Sequence, residues 1–282
     1  MVSGETNTVN PMLIMWDLKE GKRLASIRPH SNALICAAFS ASGSMLATVG
    51  LDAQHRYQIS VWDIQTLLRE SVPSKGTSNT NIIYGFKSLS NPSANGNPNS
   101  LICRQISDFD VHRVRFCPVD ETSLVSCGRE NIRFWRIRKG HLPGRPVLLN
   151  EYSRGFIFKD LAFYDESGHA ERSGRKEKSG HTSSSNMADF CVFVCGNKGL
   201  VLKIDGRSEQ VLCAYQLHKA SVNILCLSIH SGYCVTGADD FKLRIWYRKK
   251  NNCFSLEFFN HCFFFFFFFF YFFIAFLNDS MF

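Results

Sequence analysis

No P-loop, G-x-S-x-G, H-E-x-x-H or EF-hand pattern occurs in the 282 residues. These absences exclude the usual phosphate cradle, nucleophile elbow, zinc helix and calcium loop. Gly196 and Gly199 form a lone pair in a hairpin turn and make no phosphate site. His169 and His181 lie in a polar stretch without spaced cysteine or carboxylate partners, so no metal site is expected there. Cofactors are expected to be none. The cysteines contain no C-x-x-C pair, and Met1–Asn10 has no apolar core of the kind a secretory signal carries. The longest apolar run, Cys262–Leu277, is shorter than the roughly 20 residues that span a bilayer. Base-stacking aromatics interleaved along a basic strand are also missing, so nucleic acid is not an expected partner.

The chain does contain 11 cysteines and a net charge of +8. Cys36, Cys117, Cys127, Cys191, Cys195, Cys226 and Cys234 stand singly within apolar runs. They read as small buried hydrophobes in a reducing compartment, which predicts a cytosolic protein without disulfides. The positive charge favours acidic surfaces such as tubulin-like polymers, nucleic acid or anionic membrane, although screening beyond about 10 Å leaves the partner open.

The most informative stretch is Leu217–Tyr247. Three runs rich in apolar and β-branched residues, Val222–Ile229, Tyr233–Thr236 and Leu243–Tyr247, are separated by Ser231-Gly232 and by Gly237-Ala238-Asp239-Asp240. They predict three short strands joined by tight turns. A leading His, a G-x-D-D turn and a third strand closed by Trp246 together resemble the WD40 repeat, in which each repeat builds most of one propeller blade. That resemblance implies a structural tetrad. Trp246 would donate to Thr236, Thr236 would bond His218, and Asp240 would fix the imidazole from the other side. A buried indole and a buried imidazole need partners, because an orphaned polar group costs roughly 1–3 kcal/mol. A carboxylate beside a His also fixes its tautomer. The plainer alternative for His218 and Asp240 is an exposed loop pair.

The unit recurs along the chain. Met12–Leu18 is an apolar strand closed by Trp16-Asp17, followed by Leu24–Ile27, so the chain is expected to begin inside a blade whose first two strands are missing. A whole repeat follows in Leu34–Phe39, Met45–Val49 and Ile59–Ile64, with a matching tetrad of His30, Thr48, Asp52 and Trp62. The third repeat, Ile106–Ile137, has no early His and offers a partial lock of Ser126, Glu130 and Trp135. The fourth is the most degenerate. Phe156–Phe163, Phe190–Cys195 and Leu200–Ile204 end on Ile204-Asp205 where Trp-Asp would stand. Third-strand ends fall at Trp16, Trp62, Trp135, Ile204 and Trp246. The outer intervals match the ~40–45 residues of this repeat, and the two middle ones are longer by roughly one insert each.

The inserts are residues 71–100, rich in Ser, Asn, Pro and Gly, and residues 165–188, rich in Ser, Gly and charge. Such compositions bury too little apolar area to offset ordering entropy and predict a long loop, with Ile82–Phe86 as an edge strand, and a mobile linker. The tail, residues 248–282, carries eight successive phenylalanines from Phe263 to Phe270. A bare run of this sort is an aggregation hazard rather than a core. Translated non-coding pyrimidine-rich sequence is its simplest origin, with a membrane anchor and a structured element as alternatives.

The expected fold is therefore all-β: a partial WD40 β-propeller over residues 1–247, about four blades plus part of a fifth, open or part of a larger ring. Within the family, Ala47–Asp63, Leu124–Arg138 and Lys159–Phe163 are similar to segments of microtubule-associated and ciliary multi-propeller proteins. That similarity implies a non-enzymatic scaffold of the centriole or ciliary basal body in the cytoskeleton. It would support cilium assembly, with microtubules or tubulin, centriolar or ciliary proteins and the remainder of a larger multi-propeller chain as partners. The alternative is a substrate-recognition adaptor of a ubiquitin ligase. Such adaptors often carry Arg shortly after Trp-Asp. Trp62-Asp63-Ile64-Gln65 lacks that Arg, and Trp135-Arg136-Ile137-Arg138 has Arg without Asp.

Overall fold

A computed structural model describes residues 1–6, 9–71, 82–84, 99–138, 140–165, 190–227, 233–248 and 254–256. The expectations for the polar linker after Asp165, for His169 and His181, for the Ser231-Gly232 turn and for the Phe-rich run lie outside these residues.

The described chain forms five four-stranded sheets. The first contains β1 (Val2–Gly4), β2 (Leu13–Asp17), β3 (Lys22–Arg28) and β7 (Ile82–Tyr84). The second contains β4 (Leu34–Phe39), β5 (Met45–Leu51), β6 (Tyr57–Asp63) and β8 (Leu101–Ile106). The third contains β9 (Val111–Phe116), β10 (Ser123–Gly128), β11 (Ile132–Arg136) and β12 (Gly144–Pro146). The fourth contains β13 (Phe158–Asp165), β14 (Phe190–Gly196), β15 (Leu200–Asp205) and β16 (Val211–Gln216). The fifth contains β17 (Val222–Leu227), β18 (Tyr233–Ala238), β19 (Leu243–Arg248) and β20 (Phe254–Leu256). Sheets two to five are antiparallel meanders, which is the construction of propeller blades.

One feature of the first blade differs from the sequence expectation. Val2–Gly4 pairs with β2, so a second strand is present where only the end of a blade was expected. Its three residues are too few and too polar to display a strand pattern. The edge strand expected over Ile82–Phe86 is present at Ile82–Tyr84, which pairs in parallel with β3 at the other edge; Gly85 and Phe86 lie outside the described residues.

A helix, α1 (Ile64–Ser71), starts at Ile64, the residue that the apolar pattern places at the end of the preceding strand. Asp63, the acidic residue of the Trp-Asp pair, accepts from the Thr66 amide at 2.7 Å and so caps the helix. Ile64 and Leu67 bury their apolar face against the first blade, beside Leu13, Ile27 and Ile83. At its far end Glu70 accepts from the Asn99 amide at 2.9 Å and from Ser100 Oγ at 2.6 Å, closing the base of the insert.

The core is distributed between blades. One cluster joins blades one and two, with Met15, Leu46 and Trp62. A second joins two and three, with Val61, Val114 and Trp135. A third joins three and four, with Phe134, Phe158 and Val192. The last joins four and five, with Phe193, Leu225 and Trp246. Among the described residues no such cluster joins blade five to blade one. Each sheet has two apolar faces and is stable only between neighbours, as in other repeat arrays.

The repeat is also visible in register. Leu34, Val111, Phe158 and Val222 pair with Gly50, Gly128, Gly196 and Ala238, and each pairing is followed by a bulge. The residues skipped are Ile35, His112, Lys159 and Asn223, one per blade. The bulge brings the first strand against the end of the second. A Cβ on Gly128 would collide with the Asp110 carbonyl oxygen, and one on Gly196 with that of Ile157, so glycine is required by close approach.

Candidate functional site

In blade five the four predicted residues come together. Trp246 Nε1–H donates to Thr236 Oγ1 at 2.8 Å, and Thr236 Oγ1 lies 2.7 Å from His218 Nε2. His218 Nδ1 is 3.1 Å from both Asp240 oxygens. The consistent wiring has Nδ1–H donating to the carboxylate and the threonine hydroxyl donating to Nε2. Burial lowers the imidazole's affinity for a proton, against the opposing pull of Asp240. Burial also works against the Asp240 anion, yet the His218 hydrogen bond holds its carboxyl below the ordinary range. Arg244 adds an ion pair at 3.5 Å.

Blade two has the inner part of this lock. Trp62 Nε1–H donates to Thr48 Oγ1 at 3.0 Å, and His30 Nε2 lies 3.1 Å from the same oxygen. Asp52 is placed differently from the expectation. Its oxygens accept from the Gln54 and Arg56 amides and from Arg56 Nε, each at 2.9 Å, so it organises its own turn. The residues added to that turn supply amides closer to Asp52 than the imidazole is. His30 Nδ1 is left without a hydrogen-bond partner among the described residues. Burial pushes the His30 pKa down to about 3, against a smaller opposing effect of the Gln58 side chain. This imidazole is neutral.

In blade three Trp135 Nε1–H donates to Ser126 Oγ at 2.8 Å. Glu130 does not face that pair. Its Oε1 accepts from the Gly155 amide at 2.6 Å, on the approach to blade four. Blade four replaces the hydroxyl and indole with Val194 and Ile204, both fully buried. Blade one holds a pair that sequence reasoning missed, in which Trp16 Nε1–H donates to Ser3 Oγ at 2.8 Å. The available signal was Ser3-Gly4, the same hydroxyl-glycine pair as Thr236-Gly237.

A second polar group, also missed, lies on the first strands of blades three, four and five. These strands, with β4, neighbour one another and occupy the inside of the array. Asp160 of β13 is buried, yet its Oδ1 accepts from Arg115 Nη2 at 3.0 Å and lies 3.2 Å from Arg113 Nε. Its Oδ2 accepts from the Leu225 amide of blade five at 3.2 Å. One carboxylate thus connects three blades. Beside it, His112 Nδ1–H donates to the Phe158 carbonyl at 3.0 Å, and Lys159 Nζ–H donates to Asn223 Oδ1 at 2.6 Å. The sequence signal was a charged pair in the apolar run Phe158–Phe163 and two arginines at alternate positions in Val111–Phe116. Among the described residues no group of His, Cys, Asp and Glu has the geometry to hold a metal ion, and no helix is long and apolar enough to cross a membrane.

Comparison with known proteins agrees with this geometry. The WD40 family (WD domain, G-beta repeat) matches residues 21–57 and 209–247, each running from the outer strand of one blade into the next. WD repeat-containing protein 90 of Xenopus tropicalis is 28% identical over 263 residues, which are 87% of this chain and 12% of that protein. Centriole proteome protein 16 of Chlamydomonas reinhardtii is 26% identical over 82% of this chain and 10% of its own length. The human WD repeat-containing protein 90 is 27% identical over 82% of this chain and 12% of its length. The chain thus spans about an eighth or less of these curated relatives. Among solved structures, the β-propeller domain of Cps50 (Swd1) from Myceliophteria thermophila superposes with a TM-score of 0.59 at 12% identity. It covers 90% of this chain and 70% of that one.

Proposed function

We propose, from the premise that this chain carries WD40 repeats and folds as successive propeller blades, that it is a non-enzymatic interaction scaffold of the centriole or ciliary basal body. It would contact microtubules or their associated proteins and support cilium assembly. The observation that carries this reading is the similarity, over more than four-fifths of the chain, to proteins whose names are WD repeat-containing protein 90 and Centriole proteome protein 16. The arrangement of polar groups supports a scaffold. The buried histidines are spent on holding blades together, and the cysteine thiols of the inner strands are pushed up by burial, away from nucleophilic thiolates. A ubiquitin-ligase adaptor gains no support. Arg136, the residue after Trp135, pairs with Asp120 of its own blade at 2.6 Å. Asp63 is used to cap a helix.

The test is co-sedimentation of the tagged chain with taxol-stabilised microtubules at low and high salt, with its position in ciliated cells imaged in parallel. Salt-sensitive pelleting and a centriolar signal are expected. A diffuse signal would overturn the scaffold reading, and no pelleting at low salt would remove the tubulin contact.

A further inference from the structure

Pairing register gives blades two to five an equivalent set of first-strand positions. Arg113 corresponds to Cys36, Asp160 and Ile224, and Arg115 to Ala38, Ala162 and Cys226. Blade three therefore carries two guanidinium groups where three other blades carry small or apolar side chains or the one carboxylate. Asp160 cannot satisfy both. Each guanidinium has five N–H donors in a planar fork, whereas Oδ1 already serves Arg115 and the Leu161 amide, and Oδ2 serves Leu225. Arg113 Nε and Arg115 Nε are buried and make no well-aligned hydrogen bond among the described residues, so the exposed edge of each guanidinium is its terminal Nη side. The side chains stay 39% and 44% exposed, so they line a surface rather than fill a core. Counting Lys159 and its partner Asp239, 3.8 Å apart, three cations meet two carboxylates there.

The geometry points to the inner face of blades three and four, at Arg113 and Arg115, as a receptor for an acidic peptide segment, whose carboxylates take the exposed terminal N–H donors of the two guanidinium groups. The inference rests on the scaffold reading and adds the partner's chemistry. A planar fork anchored on a buried carboxylate is preorganised for bidentate capture of a second carboxylate, whereas a flexible lysine would supply only charge. In the layer beside it His112 ties blade three to the Phe158 carbonyl of blade four, and Lys159 ties blade four to the Asn223 side chain of blade five.

The test uses the whole chain and a fluorescein-labelled oligoglutamate peptide, followed by fluorescence anisotropy. The triple variant Arg113→Met/Arg115→Met/Asp160→Asn removes the forks without stranding a buried charge, and at least a tenfold loss of affinity is expected. Arg115→Lys keeps the charge and loses the fork, and a loss of several-fold is expected. An unchanged affinity in the folded triple variant would overturn the proposal. So would an oligonucleotide of equal charge binding more tightly than the peptide. If the triple variant does not fold, a photo-crosslinking peptide on the unaltered chain decides. Adducts within 111–116 and 158–163 support the site, and adducts confined to the turns bearing Arg154, Lys198, Lys219 and Lys242 refute it. Peptide binding with no microtubule pelleting would spare this site while removing the tubulin contact.

Discussion

Asp160 is where a single atom change has the longest reach. Replacing it with alanine strands the Leu225 amide in a buried position and removes the partner of two arginines. A buried donor left unpaired costs roughly 1–3 kcal/mol. Breaking a fully buried ion pair costs about 3–5 kcal/mol, but these arginines are half-exposed and can turn toward water, so only a fraction of that penalty applies. The expected destabilisation is therefore ~3 kcal/mol, with Asp160→Asn losing ~1–2 kcal/mol because one amide acceptor survives. Urea unfolding followed by tryptophan fluorescence reads this directly, since Trp62, Trp135 and Trp246 are buried at blade interfaces. With a slope near 3 kcal/mol/M, the midpoint should fall by roughly 1 M for the alanine variant. The internal control is Asp110→Ala. It breaks the Arg129 pair at 2.8 Å, both of whose partners are exposed, and is expected to cost less than ~1 kcal/mol. Equal midpoints for Asp160→Ala and Asp110→Ala would refute the inference that Asp160 joins three blades.

Four further outcomes follow from the same geometry. Thr236→Val keeps the shape of blade five but leaves the Trp246 N–H and the His218 ring without their shared oxygen, and a loss of ~2–3 kcal/mol in thermal or urea unfolding is expected. Ser126→Ala, which strands one indole only, should cost about half as much. His30 is neutral when folded, with a pKa of about 3, against ~6.5 unfolded. The unfolded chain therefore binds the extra proton between these values. This stability is complete above pH ~6.5 and declines by up to ~1.4 kcal/mol per pH unit as the pH falls toward 3, and His30→Gln should flatten that slope. Gly128→Ala forces a Cβ against the Asp110 carbonyl and should lower the melting temperature, at a cost of about 1–3 kcal/mol.

Strand existence was legible because short runs rich in apolar and β-branched residues are bounded by turn-formers. Leu34–Phe39 and Val111–Phe116 have the same ends in sequence and structure. Elsewhere the structure extends the run by a residue or two, as in Tyr233–Ala238, because the bulge glycine is still paired. What escaped were elements too short or too polar to carry a pattern of their own, and contacts between strands far apart in sequence. Val2–Gly4 is a strand only because β2 lies beside it. Helix α1 was legible in principle from Asp63 as a cap and from Ile64, Leu67 and Leu68 at helical spacing, but the Trp-Asp ending of a strand masked it. Asp52 and Glu130 show the limit of carrying a pattern across repeats. Each has the right residue type at the aligned position, and a turn of different length gives its carboxylate a nearer donor. Asp160 escaped because its partners come from β9 and β17, and no local pattern encodes a contact between three separate strands.

The distribution of polar contacts suggests how an array with unequal locks stays rigid. Blade five holds a four-membered lock, blade two the inner three members, blade three one indole pair, and blade four none. The contacts between blades gather around blades three and four, and blade two joins in through Ser42 and Ser44, which donate to Glu121 of blade three. Where the internal locks fail, at blades three and four, Glu130 reaches Gly155, His112 reaches the Phe158 carbonyl, and Arg115 reaches Asp160. Asp160 and Lys159 then reach blade five. Burying a polar side chain costs the same whether its partner lies in its own sheet or the next one. A blade tied to its neighbour, however, resists sliding along an apolar interface that is otherwise non-directional. Polar contacts that are missing inside blades three and four are thus found at their seams, and the same seams present Arg113 and Arg115.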